Sequence, residues 1–412
     1  MKNLTAQRSS RRNFILFTGL FMTVLFLSNY TGEVNKYNAT MYALTYRYTF
    51  GSRSLLGSFY HLIDALLPAD MISYHAVQIF TTVMTLLLFL LLFCFAVFVI
   101  KRSSGSFLLP MEFLLMLLIL LIVPTFTETH NFGRVDLYML TISALAAVLL
   151  IREKAVWLVI PLSAIGCMAH QGYVFMYFNI ILVLLLYRCI TSEEQKKKRT
   201  YALCFVISLV LTGSLFIWFE LFSHNQGIAV YNDVVAEAQK LTLGGEYHEP
   251  LLRHEILGVD LTESEADWHR RNLVELLCFI PLTLPFSIPL FDLFGGCVKR
   301  AGGFWRRILY LLILIGSLTL LPDFALKVDF GRWTIAFIFY YLMMMISLLL
   351  MKDPLFLQEG GRVLAKIKGI PLLPVFLIVY AFVFVPFWDI NYNLLIAKIS
   401  SFIGDGRLWP VG

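Results

Sequence analysis

The stretch Asn131-Phe132-Gly133-Arg134-Val135-Asp136 separates two long apolar runs and places an arginine and a carboxylate at the mouth of a predicted membrane span. Charges at that position are costly unless they are paired, solvated or functional. A similar string recurs as Asp329-Phe330-Gly331-Arg332 and, more loosely, as Phe50-Gly51-Ser52-Arg53, each time beside a hydrophobic segment. The question for the fold is whether these three arginines lie on one face of a membrane.

The composition of the 412-residue chain is that of a polytopic membrane protein. Hydrophobic residues make up 59%, charged residues 15%, and the mean hydropathy is +0.76, which is too apolar for a soluble domain. Unbroken runs such as Met84 to Ile100 favour helices over the alternating strands of a membrane barrel. The net charge of +6 comes from basic clusters in short loops, so we expect no nucleic-acid partner. Cysteine spacing predicts neither a disulfide nor a zinc site.

Alternation of apolar segments with basic loops predicts about eleven transmembrane helices in one transmembrane domain, residues 1–412. The basic residues before the first apolar run place the N-terminus in the cytoplasm, and that run is expected to stay as an uncleaved first helix. Residues 29–74 are predicted to form an outer re-entrant or interfacial segment, and residues 222–272 a large outer loop between helices 7 and 8. The predicted spans are 13–28, 75–100, 107–124, 136–151, two short helices within 155–187, 201–221, 273–298, 308–321, 334–351 and 370–388.

This topology brings charged residues from distant parts of the chain to the outer ends of the helices. Each of them alone can be interpreted as a helix-end anchor, a snorkelling arginine or half of an Arg–Asp pair. Together, the arginines predict a pocket for a lipid diphosphate, because guanidinium groups stay charged and bind phosphate oxygens in pairs. A glycine before two of these arginines would let the backbone approach a bulky ligand. The predicted diphosphate-binding residues are Arg47, Arg53, Arg134 and Arg332.

Three outer residues, His170, Asp136 and Asp329, are candidate catalytic proton acceptors. His170 is preferred because the imidazole group of histidine titrates near neutrality. It also lies in Ala169-His170-Gln171-Gly172, which interrupts the apolar run 155–187 and predicts an outer turn between two short helices. The alternative is a histidine that is hydrogen-bonded inside a helix bundle.

Three further residues, Gln171, Tyr247 and Trp268, are candidate sugar-binding residues, since an amide can orient a hydroxyl and aromatic rings can stack on sugar rings. The outer loop is also rich in potential metal ligands. No H-E-x-x-H or D-x-D motif is present, so a solvated acidic loop is the preferred interpretation, and we expect no metal and no cofactor. The potential ligands are His248, Glu249, His254, Glu255, Asp267 and His269.

The strings FGRVDLYML, AHQGY and DFGRW, separated by a large outer loop, resemble bacterial polysaccharide polymerases of the Wzy and EpsG-like type. That resemblance implies a GT-C-type glycosyltransferase of the bacterial inner membrane. It would act without a cofactor on undecaprenyl-diphosphate-linked oligosaccharides, building a capsule, an exopolysaccharide or O-antigen. It also implies that Arg53, Arg134 and Arg332 hold the diphosphate. The implied partners are membrane lipids, a chain-length regulator and other polysaccharide-assembly proteins.

Three other functions fit the same composition. A transporter or flippase of lipid-linked sugars would need ionisable groups near the membrane midplane and repeat symmetry, and neither is visible. A membrane acyltransferase that modifies surface polysaccharide would favour motifs at the inner face. A scaffold subunit of an envelope complex would leave each arginine dispensable.

Overall fold

The computed structural model describes residues 2–67, 72–103, 107–127, 131–223, 226–259, 284–321 and 330–368. All regular structure within these ranges is helical. The chain groups into two compact units. The first contains Met1–Lys101 and Phe126–Glu263, and the second contains Arg102–Thr125 and Ser264–Gly412.

The helices are numbered in chain order. They are α1 Lys2–Asn29, α2 Lys36–Thr40, α3 Ser54–Leu66, α4 Tyr74–Arg102, α5 Leu108–Thr127, α6 Asp136–Arg152, α7 Val159–Ala169, α8 Tyr173–Met176, α9 Phe178–Thr191, α10 Gln195–Phe222, α11 Ile228–Leu241, α12 Glu249–Leu252, α13 at 284–300, α14 Phe304–Ile315, α15 Phe330–Leu350 and α16 Pro354–Lys368. Short 3₁₀ turns cover Met41–Ala43, Val156–Leu158, Leu243–Gly245 and Gly316–Leu320, and a π-helical turn covers Arg253–Leu257.

Several of the described helices are suited to a membrane. Five are long and apolar enough to cross one, and two more are shorter and apolar. The all-helical prediction is therefore confirmed for the described residues, whereas the number of eleven spans stays a prediction. The predicted helix at 370–388 and the first part of the one at 273–298 lie outside the described residues. The five long helices are Ser9–Asn29, Tyr74–Arg102, Leu108–Thr127, Gln195–Phe222 and Arg332–Leu350, and the short ones are Val156–Ala169 and Phe178–Thr191.

Apolar side chains on α1 and α10 point away from the protein. More than half of the surface of Leu16 and Leu20 on α1, and of Val206 and Val210 on α10, is exposed. Soluble proteins rarely leave apolar strips of this length in water. Lipid hydrocarbon is the solvent that suits these two faces.

The apolar run 155–187 forms α7 and α9 with the four-residue helix α8 between them, and it breaks at His170, where the sequence predicts a turn. Arg188 of α9 donates from Nε to the Leu150 carbonyl and from Nη2 to the Ile151 carbonyl, both at 3.0 Å. These carbonyls belong to the last turn of α6, where helical donors run out; the Leu150 carbonyl also accepts from the backbone N–H of Glu153 at 3.4 Å. The C-terminal ends of α6 and α9 therefore lie together. Because α7 starts only a few residues after α6, it leads away from that end, and His170 lies at the opposite one.

The start of α10 joins the same basic end. Glu153 pairs with Arg188 at 2.9 Å and with Lys197 at 3.1 Å. From there α10 runs along α7 and α9, so its last residue, Phe222, lies at the end that carries His170. The cytoplasmic location of this basic end, expected from the positive-inside rule, stays a prediction.

Residues 36–66 pack against the helix bundle rather than forming an open loop. The rings of Tyr42, Tyr60 and Phe80 meet edge-on with centroids between 5.0 and 5.6 Å apart, and each such pair contributes about 0.5–1.5 kcal/mol beyond its buried area. Gly57 lets α3 approach closely, because a Cβ there would overlap the carbonyl oxygen of Leu44. This packing fixes the start of α3, where Arg53 lies.

In the second unit, an ion network fastens α16 to α13. Arg362 donates from Nη2 to Asp292 Oδ1 at 2.8 Å and from Nε to Glu359 Oε2 at 2.7 Å. Arg300 also pairs with Glu359, whose side chain is fully buried. A buried carboxylate needs such partners. Helix α16 was not predicted from the sequence, because it is amphipathic and lacks the continuous apolar run that marks a membrane span.

Candidate functional site

The backbone before α6 is fixed by contacts with α2 and α4. The Asn38 side-chain amide donates to the carbonyl of Phe132 at 2.9 Å, and the Phe132 side chain is fully buried. Gly133 has a φ of +87°, and a Cβ there would lie 2.8 Å from Thr81 Cγ2. The sequence suggested that Gly133 makes room for a ligand. In the structure it makes room for Thr81 and supplies a left-handed backbone that other residues rarely adopt.

We expect Gly133→Ala to destabilise the folded protein by about 1–3 kcal/mol, because it adds a strained backbone and a steric overlap. The measurement is the thermal unfolding midpoint of the detergent-solubilised protein. Gly213→Ala is the matched control, since Gly213 lies inside α10 with no atom within 4 Å of an added Cβ. Equal midpoints for Gly133→Ala and the wild type would contradict this explanation.

Arg134 lies just before α6 and Asp136 begins it, at the end of the bundle opposite Arg188. The Arg134 guanidinium carbon lies 5.4 Å from the centre of the Tyr37 ring, a cation–π contact. Asp136 is the first residue of α6 and is 1% exposed, a position where the helix dipole favours a carboxylate. Both residues thus lie at the end that carries His170.

Arg53 is carried by a turn that is anchored to the end of α10. The Thr49 hydroxyl donates to the carbonyl of Ser223 at 2.9 Å. The Phe50 ring packs against Phe219 with a centroid distance of 5.7 Å. These anchors hold Arg53 at the same end of the bundle as His170.

Arg53 contacts an acid and a histidine through two different nitrogens. Nη1 donates to Glu255 Oε1 at 2.6 Å, and Nη2 lies 3.0 Å from His170 Nε2. Next to them, the Ser52 hydroxyl hydrogen-bonds the Gln171 side chain. His170 and Glu255 are each 4% exposed. The charges of Arg53 and Glu255 therefore interact where water screens them little. Three distant parts of the sequence meet in this cluster.

Both ring nitrogens of His170 face hydrogen-bond donors. The backbone N–H of Gly172 donates to Nδ1 at 2.9 Å, and Nε2 faces the Arg53 guanidinium, which carries donors only. A neutral imidazole has one acceptor nitrogen. To take a proton from a substrate, the ring would first have to release one of these two donors.

His248 and Tyr37 form a ring pair that lies near Arg134 and within the electrostatic reach of Arg53. Their rings meet edge-on with a centroid distance of 5.1 Å. The Arg134 guanidinium lies over the Tyr37 ring of this pair. Burial, followed by the positive charges of Lys36 and Arg53, lowers the pKa of His248. Arg53 and Arg134 therefore border the same region, and a third cation, Lys36, adds to its positive potential.

This pKa shift predicts a pH-dependent stability. The unfolded chain takes up a proton at His248 near the ordinary value of about 6.5, whereas the folded protein resists that proton. Stability should therefore fall as the pH drops below about 6.5. We expect the thermal midpoint to fall less between pH 7.5 and 5.5 in His248→Asn, whose side chain can still accept from the Leu251 N–H that His248 Nδ1 now binds at 3.1 Å. Equal slopes for both proteins would contradict this assignment.

Two other predicted site residues lie in the first unit. Arg47 is exposed, and its guanidinium carbon is 5.6 Å from the centre of the neighbouring Tyr48 ring. Tyr247 is half-buried. Burial, and then the hydrogen bond with Tyr247, raises the pKa of Tyr231 to about 12. Tyr247 is thus engaged with α11, and its role with sugar stays a prediction.

The remaining predicted residues belong to the second unit or to undescribed parts of the chain. Arg332 is buried in the first turn of α15, and its place relative to Arg53 and Arg134 stays a prediction. Asp329 and Trp268 lie outside the described residues.

The partners of Arg53 and Arg134 were not predicted from the sequence. Glu255 and His248 were considered only as possible metal ligands, and Ser52 and Tyr37 were not singled out. Glu255 lies in the π-helical turn Arg253–Leu257, a feature that is rare and often found at functional sites. No sequence pattern predicts such a turn. Within the described residues, no group of three or more His, Cys, Asp or Glu side chains is placed to hold a metal ion.

Comparison with protein-family models, curated proteins and solved structures finds no match for this chain.

Proposed function

We propose that this protein is a membrane glycosyltransferase that polymerises polyprenyl-diphosphate-linked oligosaccharide repeat units into a surface polysaccharide. The observation that carries the proposal is the meeting of Arg53, His170 and Glu255 at one end of a helix bundle, with Arg134 bordering the same region. The likeness of three sequence strings to Wzy and EpsG-like polymerases favours the same substrate class.

The two arginines suit a diphosphate at the membrane surface. Guanidinium groups bind phosphate oxygens through two parallel hydrogen bonds and keep their charge. Arg53 is mostly buried and Arg134 half-buried, so both act where water screens charge less than it does at an open surface. In this proposal they hold the leaving group.

The reaction transfers a growing glycan from one lipid diphosphate to a sugar hydroxyl of another repeat unit. The bond between the anomeric carbon and the diphosphate oxygen breaks, and its electron pair stays with the diphosphate. The acceptor oxygen forms the new glycosidic bond and gives its proton to a base. The arginines stabilise the charge that builds on the diphosphate in the transition state, which is electrostatic catalysis. The sequence-based candidates for the base are His170, Asp136 and Asp329.

The membrane arrangement forms part of the proposal. The chain would cross the bacterial cytoplasmic membrane about eleven times, with the basic end of α6, α9 and α10 in the cytoplasm and the arginine cluster at the outer face. The glycan carrier is undecaprenyl diphosphate, and a chain-length regulator and other polysaccharide-assembly proteins are its proposed partners.

Gel analysis of lipid-linked glycans from cells that lack the protein tests this function. A polymerase predicts that single repeat units accumulate at the outer face, and that the wild-type gene restores long chains. Retention of the units at the cytoplasmic face would point to a flippase instead. Polymer of normal length in the deletion strain would exclude the proposal.

A further inference from the structure

We propose that Glu255 is the proton acceptor of the transfer reaction, and that its contact with Arg53 keeps it inactive until a lipid diphosphate binds. This inference rests on the proposed function and adds a residue that the sequence prediction did not consider for catalysis.

Glu255 and a bound diphosphate would compete for Arg53. Its Nη1 donates to Glu255 Oε1 at 2.6 Å, so a carboxylate now occupies one edge of the guanidinium that the proposal gives to a diphosphate. Carboxylate and phosphate oxygens bind this group in the same geometry. A diphosphate carries more negative charge than one carboxylate and would displace it. The resting contact is thus a substitute for the substrate.

When the diphosphate displaces Glu255 from Arg53, the Glu255 carboxylate stays beside the diphosphate-binding arginine and is able to accept a proton. Glu255 is 4% exposed, and without the guanidinium its charge would lie in a poorly solvated site, where a carboxylate readily accepts a proton. His254 Nδ1 lies 3.2 Å from the same Oε1 and can orient the carboxylate after Arg53 turns to the diphosphate. His170, by contrast, has donors at both ring nitrogens.

The proposed step is balanced. The acceptor hydroxyl loses its proton to Glu255 as its oxygen bonds to the anomeric carbon, and the electron pair of the broken bond leaves with the diphosphate held by Arg53. Glu255 then gives the proton to water and pairs with Arg53 again when the lipid diphosphate departs.

The test uses Glu255→Gln in the full-length protein. Glutamine keeps an oxygen for Arg53 but neither the charge nor the basicity. The probe is undecaprenyl diphosphate in detergent, and we expect Glu255→Gln to bind it with a Kd roughly tenfold lower than that of the wild type. The diphosphate no longer has to displace a hydrogen bond between two charged groups, which contributes about one factor of ten in affinity. In vesicles supplied with lipid-linked glycans extracted from cells that lack the protein, polymer formation should fall about 100-fold or more.

Glu249→Gln is the matched control, because Glu249 is an exposed carboxylate that pairs with Arg253 at 3.2 Å just before the π-helical turn. It should change neither measurement. Unchanged or weaker binding by Glu255→Gln, or retained polymer formation, would overturn the role of Glu255 alone. If the wild-type protein does not bind undecaprenyl diphosphate, both this inference and the proposed function are wrong.

Discussion

Replacing Arg53 with alanine should lower the rate of polymer formation about 100- to 1000-fold, the usual loss when one preorganised donor to a developing oxyanion is removed. Arg53 contacts the proposed base, Glu255, through Nη1 and His170 through Nη2. In the proposal the same guanidinium binds the diphosphate. The measurement is the rate of chain lengthening in vesicles. The thermal unfolding midpoint of the variant shows whether it is folded.

Two further variants make this result interpretable. Arg53→Ala leaves the buried Glu255 without its guanidinium, which can destabilise the fold. Arg53→Lys keeps a positive charge for Glu255 and should stay folded, yet it loses the planar fork and should still be at least about tenfold slower. Arg253→Ala removes an exposed arginine from the neighbouring segment and should be as active as the wild type. Normal activity of a folded Arg53→Ala protein would contradict the role of this arginine.

Replacing Arg134 with alanine should also abolish long polymer, with an expected loss of about 100-fold. Arg134 lies over Tyr37, whose ring meets His248, and the charge of Arg53 also acts on His248. If both arginines hold one diphosphate, the double variant should lose much less than the product of the two single losses, because residues that act on one group are not additive. The measurement is the length distribution of surface polysaccharide on a gel.

Tyr37→Leu separates the charge of Arg134 from its cation–π contact with the Tyr37 ring. It removes the ring under the guanidinium but leaves the charge of Arg134, so polymer should become shorter without disappearing. The cation–π contact contributes about 0.5–2 kcal/mol, which corresponds to a modest loss of rate. Full independence of the Arg53 and Arg134 effects would indicate two separate sites and would contradict a shared diphosphate.

The sequence was sufficient for the helical class and for several boundaries. Long apolar runs leave few alternatives to helices, which is why α4 and α6 lie within a few residues of their predicted ends. The break at His170 was also predictable, since 155–187 is too long for one span and is interrupted by polar residues. Positive-inside reasoning predicted Arg53, Arg134 and His170 at one outer membrane face. The structure brings Arg53 to His170, and the membrane face stays a prediction.

The contacts within the cluster could not be predicted in the same way. Glu255 reaches Arg53 across 202 residues of chain, and no periodicity connects a π-helical turn in a polar loop with the start of α3. The role of Gly133 depends on one methyl group of Thr81 in another helix. Such pairings are decided by tertiary packing, which local sequence patterns do not encode.

The most direct test of the central claim is reconstitution of the purified protein in vesicles with lipid-linked repeat units extracted from cells that lack it. The proposal predicts that the glycans lengthen and that one molecule of undecaprenyl diphosphate is released for each new glycosidic bond. Movement of the repeat units across the bilayer without any lengthening would contradict it.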